Sequence, residues 1–246
     1  MTPRAHIVLT GASGGLGVST LALAVGRRLA VAGTPCTVVD LATTAGGLDV
    51  TAGIEHLPGR RWSALAEVRG PVPPGPLLRA LPHEDGCRVL SAGGLGPRSV
   101  PAVAVRDTLA SVLAGPEAVV VDLPPSSPHL AGALAGEPLL VVLAGLRTRQ
   151  LADVDALVER LIEAAPEEGG HPDLRLVTRG PRPSAGVLDD VLAALGIAHL
   201  DHLVDDAHVP REAERGLWPG TTRSALRRCA DAVVAAGAPD VLGQAS

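Results

Sequence analysis

The sequence contains no lysine, no asparagine, no tyrosine and no phenylalanine. All 21 of its basic residues are arginine, and Trp62 and Trp218 are its only large aromatic side chains. These absences remove whole classes of catalyst, and they leave the core to leucine, valine, alanine and isoleucine. Cysteine is scarce as well. Cys36, Cys87 and Cys229 form an odd, scattered set without CxxC spacing, which implies free thiols, a reducing compartment and no zinc site. No run of about 18 apolar, charge-free residues offers a membrane span. A net charge of −5 gives no general reason to expect a nucleic-acid partner. The N-terminal MTPRAHIVLTG enters a strand almost at once and leaves no room for a signal peptide, so a cytoplasmic protein is expected.

What is present is globular: 246 residues, 46% hydrophobic and 19% charged. Short β-branched runs alternate with longer amphipathic segments. This pattern predicts an α/β fold, a mostly parallel twisted sheet with helices on both faces. The predicted strands are 6–10, 36–40, 88–91, 118–122, 139–143, 174–178 and 197–203. The predicted helices are 17–32, 100–113, 149–165, 186–195, 210–215 and 222–235. RGPVPPGPL (69–77) and PEEGGHPD (166–173) read as Pro/Gly-rich connections, and GAPDVLGQAS (237–246) as a loose tail. One domain is expected over 1–246, with an ordered core of about 5–236.

Chemistry concentrates in IVLTGASGGLGVSTLALAV, residues 7–25, an apolar strand followed by a glycine loop and an apolar helix. Two fingerprints overlap there. Thr10-Gly11-x-x-x-Gly15-x-Gly17 matches the dinucleotide loop of short-chain dehydrogenases. Gly14-Gly15-Leu16-Gly17-Val18-Ser19-Thr20 matches a phosphate-binding P-loop whose lysine has become valine. Both rely on glycines that let backbone N–H groups approach phosphate at a helix N-terminus, so the loop alone does not decide.

Residues downstream do. Asp40 closes the second strand and suits an adenosine ribose. The dehydrogenases, however, move a proton through a Tyr-x-x-x-Lys pair and also use asparagine, and the chain has none of the three. A non-catalytic NAD(P)-binding protein is what survives of that reading. The P-loop reading needs a later strand ending in an acidic residue that holds the magnesium shell. AVVVDLPP (118–125) supplies Asp122, and Ser19 stands where the magnesium-ligating hydroxyl belongs. With VVDLATTAGGLD (38–49), three loops would converge at the carboxyl ends of strands, where α/β sheets bind ligands.

Together these residues resemble the MinD/ParA group of P-loop proteins, whose deviant loop reads KGGxGK[ST]; the region here is Ser13-Gly14-Gly15-Leu16-Gly17-Val18-Ser19. The nearer likeness is to the CpaE/TadZ-like branch, particularly actinobacterial septum site-determining proteins. Those share GGxGxST loops, a Gly46-Gly47-Leu48-Asp49 stretch, a PGRRW-like segment (58–62) and a DLPP strand end (122–125). The likeness spans roughly residues 6–236. It implies a P-loop NTPase fold with the first strand central and the DLPP strand beside it. It also implies ATP or ADP with Mg2+, bound by Gly14, Gly15, Leu16, Gly17, Val18, Ser19, Thr20, Asp40, Asp122, Arg179 and Pro181. Arg179 and Pro181 come from VTRGPRP (177–183), whose loop borders the adenine in such proteins. Ser19, Asp40 and Asp122 would form the magnesium shell. The implied partners are a second copy of the chain and a membrane-associated division, pilus or secretion protein. Such proteins often carry an N-terminal receiver-like domain, whereas this sequence starts directly at the P-loop strand.

Four positions depart from an active MinD/ParA ATPase. The first loop glycine is Ala12, the signature lysine is Ser13, the P-loop lysine is Val18, and the second acidic residue after strand two is Ala42. A charged hydrogen bond is worth roughly 1.5–3 kcal/mol against about 8 kcal/mol for a micromolar complex. Binding is therefore weakened but can survive. Each lost transition-state donor costs on the order of 10²–10³ in rate, so the expectation is a pseudo-ATPase with little or no hydrolysis. A slow but genuine ATPase is the alternative.

Other constellations read as structure. His199, His202, Asp201, Asp205 and His208 look like a strand end and a polar turn, without compact ligand spacing. Arg211, Arg215, Arg223, Arg227 and Arg228 fit a solvated helix face, which makes DNA an unlikely partner. The C-terminal SALRRCADAVVAAGAPDV lacks aromatic anchors, so direct membrane insertion is not expected.

Overall fold

The computed structural model describes residues 4–43, 46–93, 100–165 and 172–238. Strands form at the short β-branched runs: β1 (His6–Gly11), β2 (Cys36–Asp40), β3 (His83–Glu84), β4 (Cys87–Leu90), β5 (Ala118–Leu123), β6 (Leu139–Gly145), β7 (Asp173–Gly180) and β8 (Ala198–Val204). They make one sheet in the order β3-β4-β2-β5-β1-β6-β7-β8. Every adjacent pair is parallel except β3 with β4. The glycine-loop strand is thus interior, with the DLPP strand beside it, as the resemblance implies. The seven predicted strands lie within two residues of the observed ones. The unpredicted β3 closes a two-residue hairpin at Asp85-Gly86, both with positive φ (44° and 84°), a turn that Asp-Gly favours.

Helices cover both faces: α1 (Val18–Val31), α2 (Leu48–Ala52), α3 (Pro74–Arg79), α4 (Ala102–Leu113), α5 (Leu130–Ala133), α6 (Thr148–Ala164), α7 (Ala185–Leu195), α8 (His208–Ala213) and α9 (Ala225–Gly237). A 3-10 turn spans Trp62–Leu65. The stretch 69–77 is not only a connection, because its proline starts α3. A fixed φ and a missing N–H cost nothing in a first helical turn. The additional elements α2, α3, α5 and the 3-10 turn have at most six residues, too few to show a helical period. The stretch 166–171 and most of the tail, 239–246, lie outside the described residues.

The central strands are apolar on both sides, as a doubly covered parallel sheet demands. In β1, Ile7 and Leu9 face one core with Leu21, Val25 and Leu29 of α1 and Cys229 and Val233 of α9. Val8 faces the other, with Leu109 and Val112 of α4 and Val154 and Leu161 of α6. Small residues let α1 sit close to the sheet. A Cβ on Gly26 would lie 2.5 Å from Val38 and 3.1 Å from the Cys87 sulfur. Cys36 and Cys87 are register partners with sulfurs 3.9 Å apart, and all three cysteines are buried and free. Gly26→Val should therefore force α1 off β2 and β4. A loss of about 1–3 kcal/mol is expected in urea denaturation, with the secondary structure retained.

Candidate functional site

The loop after β1 is shaped by its backbone. At its start the Ala12 N–H donates to Leu143 O of β6 at 3.0 Å, which turns the chain off the sheet. Gly15 and Gly17 then take left-handed conformations, φ 77° and 83°. A Cβ built on Gly14 or Gly15 meets nothing within 4 Å, so both glycines face open space. Gly17 is the N-cap of α1 and offers no side-chain cap to the first turn. The N–H groups of Val18, Ser19 and Thr20 are therefore available to an anion, in the favourable field of a 14-residue helix.

Side chains around this cradle carry no ammonium. Val18 is turned into the fold: its Cγ2 is 2.8 Å from where a Gly11 Cβ would stand, and it packs on the core around α1. The hydroxyls of Ser13 and Thr10 are screened from solvent and have no hydrogen-bond partner. Leu16 is buried and anchors the loop from below.

Two carboxylates stand at the carboxyl ends of neighbouring strands. Asp40 ends β2, Asp122 lies one residue from the end of β5, and the two are register partners. They are 2% and 5% exposed. Asp40 accepts hydrogen bonds from the N–H of Ala42 (2.8 Å) and Leu48 (3.3 Å). Ala42 thus reaches the carboxylate through its backbone N–H. Burial, then the charge of Asp122, raises the Asp40 pKa to about 7 despite those two bonds. Asp122 is raised to about 6, again by burial, with the nearby Ser19 hydroxyl acting in the opposite direction.

A second layer braces Asp40. The Trp62 indole N–H donates to Asp40 O at 2.6 Å, and the Trp62 backbone N–H donates to Ser91 O at 2.9 Å. Arg61 pairs with buried Asp49 at 3.0 Å and also donates to Leu57 O and Gly59 O. The GGLD and PGRRW stretches therefore meet as one clamp behind the carboxylate pair. Gly47 is required there, since its Cβ would fall 2.5 Å from Asp49 Oδ1 and 2.9 Å from Ser91.

Arg179, near the end of β7, crosses to the glycine loop, while Pro181 beyond the strand is exposed. The Arg179 Nη1 donates to Leu16 O at 3.3 Å, and its Nε donates to Asp205 Oδ1 at 3.1 Å. Together with Gly17, Thr20, Leu203, Val204 and Val209 it lines a cleft of about 230 Å³. Asp205 and the apolar wall from β8 and α8 were not singled out as site residues. Their signal was positional only, a loop following a parallel strand at the same edge as 11–19, 40–49 and 122–125.

His199 and His202 do other work. Both ring nitrogens bond the buried Thr178 hydroxyl, at 3.0 and 2.9 Å, and His202 Nε2 donates to Gly180 O at 3.1 Å. Among the described residues no group of three or more His, Cys, Asp or Glu is arranged to hold a metal. The Ser19, Asp40 and Asp122 oxygens nonetheless suit a hard cation such as Mg2+ that keeps part of its water shell. Two buried carboxylates at neighbouring strand ends, beside the glycine loop, fit a magnesium–phosphate pair.

No protein-family profile matches the chain. Uncharacterized proteins from two strains of Mycobacterium tuberculosis are each 30% identical over 230 residues, covering 94% of this chain. The chain spans 63% of the length of these curated relatives. Among solved structures, the MinD cell division protein of Aquifex aeolicus superposes with a TM-score of 0.70 at 16% identity, covering 92% of this chain and 95% of that one. A ParA family ATPase from Chlorobium tepidum gives 0.68 at 15% identity, with 94% and 99% covered. The septum site-determining protein MinD from Pyrococcus horikoshii, complexed with Mg-ADP, gives 0.68 at 13%, with 98% of each chain covered. At these identities the likeness establishes the fold.

The raised carboxylates predict a pH dependence with a definite sign. With a folded pKa of about 6 against 3.8, Asp122 holds its proton more tightly in the folded protein, so stability falls as pH rises through this range. Asp122→Asn keeps the shape but removes the charge. Without added Mg2+ it should stabilise the protein at pH 8 by on the order of 2 kcal/mol and leave it nearly unchanged at pH 4. Urea denaturation at the two pH values checks this; an equal effect at both would mean that the charge is not responsible.

Proposed function

We propose that this chain, folded as the MinD/ParA P-loop ATPases are, is a nucleotide-binding regulatory protein that hydrolyses ATP little or not at all. One observation carries the reading: an uncapped glycine loop at residues 12–20 adjoins the buried Asp40–Asp122 pair, and no lysine exists to complete it. Backbone N–H groups and a bound Mg2+ would hold ATP or ADP, with Ser19, Asp40 and Asp122 as the oxygen shell. Hydrolysis asks for more. Val18 points into the core, Ser13 has only a hydroxyl and Ala42 only a methyl group, so three groups that would stabilise or supply the attacking species are missing. At on the order of 10²–10³ in rate per preorganised donor, their joint loss brings turnover to background.

In this reading the protein works by position and partner choice, in the placement of a septum or of a pilus or secretion machine, as the CpaE/TadZ-like resemblance implies. It acts in the cytoplasm, as a dimer or through a membrane-associated partner that recruits it. The solved likenesses lend support here, since the matched structures include a MinC:MinD cell division protein complex and a MinD with Mg-ADP. Direct insertion of α9 into a bilayer is disfavoured, because Leu226, Cys229, Ala230, Val233 and Val234 are already buried in the core around α1. No described helix is long and apolar enough to cross a membrane. DNA binding is disfavoured too. Arg228 pairs with Asp201 at 3.1 Å, and Asp231 faces both Arg28 and Arg227, so acids offset this basic stretch.

The reading predicts calorimetric binding of ATP or ADP that requires Mg2+ and is lost in Asp122→Ala, with phosphate release at the buffer level. Turnover that Asp122→Ala abolishes would establish a slow genuine ATPase instead. Binding of NAD(P) in place of ATP would return the loop to the dinucleotide reading.

A further inference from the structure

Resting on the reading of residues 12–20 as a nucleotide loop, we propose that Arg179 is its phosphate-binding cation. It is supplied from β7 in place of a lysine within the loop, and Asp205 holds it in reserve until phosphate arrives. The resemblance implies a place beside the adenine for Arg179; its hydrogen bond to Leu16 O favours the loop side of the cleft.

Three observations carry this. First, the guanidinium lies on the loop itself. Nη1 bonds Leu16 O at 3.3 Å and stands 2.8 Å from where a Gly17 Cβ would be, so the glycine leaves room for the arginine head as well as for the turn. Among the described residues Arg179 is the only cation hydrogen-bonded to residues 12–20. Second, it faces the same cleft as Gly17 and Thr20, the end of the loop and the first turn of α1. Backbone N–H donors and a delocalised cation therefore meet at one end, while Leu203, Val204 and Val209 line the rest. This is the division of polar and apolar surface that a nucleoside phosphate presents.

Third, the arginine is held loosely by a replaceable partner. Its Nε bonds Asp205, whose side chain is 62% exposed while that of Arg179 is 26% exposed. An ion pair so open to water contributes little to stability. A guanidinium carries five N–H donors, and the Asp205 and Leu16 contacts occupy two, which leaves a fork for phosphate oxygens. Asp206, which lines the same cleft, is bonded instead to His208, so Asp205 is the carboxylate that a phosphate would displace from Arg179.

The consequence separates a phosphate ligand from a brace. If Asp205 competes with phosphate for Arg179, then removing the carboxylate should strengthen binding. If the ion pair merely props β7 against β8, removing either partner should weaken it. The experiment measures Kd for ADP and for ATP with Mg2+ by calorimetry, on the wild type, Arg179→Ala, Arg179→Lys and Asp205→Asn, at low and high salt. Circular dichroism confirms that each variant is folded. Arg179→Ala should weaken binding by about tenfold or more, with Arg179→Lys recovering part of the loss. Asp205→Asn should tighten it by about twofold to fivefold. Binding to the wild type should also weaken more steeply with salt than binding to Arg179→Ala, because a screened charge is at work. Should Arg179→Ala fail to fold, Asp205→Asn and the partial effect of Arg179→Lys decide the matter. Unchanged binding in Arg179→Ala, weakened binding in Asp205→Asn, or equal salt slopes would overturn the proposal while the nucleotide loop stands. A wild type that binds neither nucleotide would overturn both.

Discussion

The register between β2 and β5 sets Asp40 beside Asp122 at the edge of a sheet that is covered on both faces, and the surrounding site is built around this enforced proximity. Burial and the neighbouring Asp122 charge raise the pKa of Asp40 to about 7. Among the described residues the side-chain oxygens of Asp40 accept only from neutral donors, the N–H groups of Ala42 and Leu48. A proton or a divalent cation would relieve the repulsion between the pair. The second layer of Trp62, Arg61 and Asp49 fixes the backbone behind Asp40, which prevents the pair from relaxing apart.

The shape of the glycine loop needs no lysine. Its turn comes from positive φ at Gly15 and Gly17, the bond from Ala12 to β6 and the burial of Leu16. All of these are backbone or packing properties. Val18 even contributes to packing, as it rests against Gly11 in space that a lysine would leave on its way to the ligand. Among the described residues, the one cation hydrogen-bonded to the loop arrives from a different strand.

Much of this was legible because the relevant signals are local. Valine and leucine runs of five to seven residues, separated by longer amphipathic stretches, are enough to place β1, β2, β5 and β6 and the helices between them. The loop, Asp40 and Asp122 are legible because each ends a strand, and parallel strands present their carboxyl ends on the same side. The short elements α2, α3 and α5 were not legible, since four to six residues do not complete two helical turns. The α3 proline reads equally well as a loop residue or as a helix start, and only the packing of Leu77 and Leu78 into the core chooses.

The sequence by itself determined the chemistry that is excluded, the absence of lysine and tyrosine, and the identity of the residues at the strand ends, because composition and strand periodicity are properties of the chain alone. Only the tertiary structure decided which of those residues meet. The β2–β5 register turned two separate aspartates into a coupled pair, and the crossing from β7 brought Arg179 over 163 positions of sequence to Leu16. Side chains that far apart share no local signal. Their meeting follows from the order in which the strands assemble, and that order is fixed by the packing of the whole sheet.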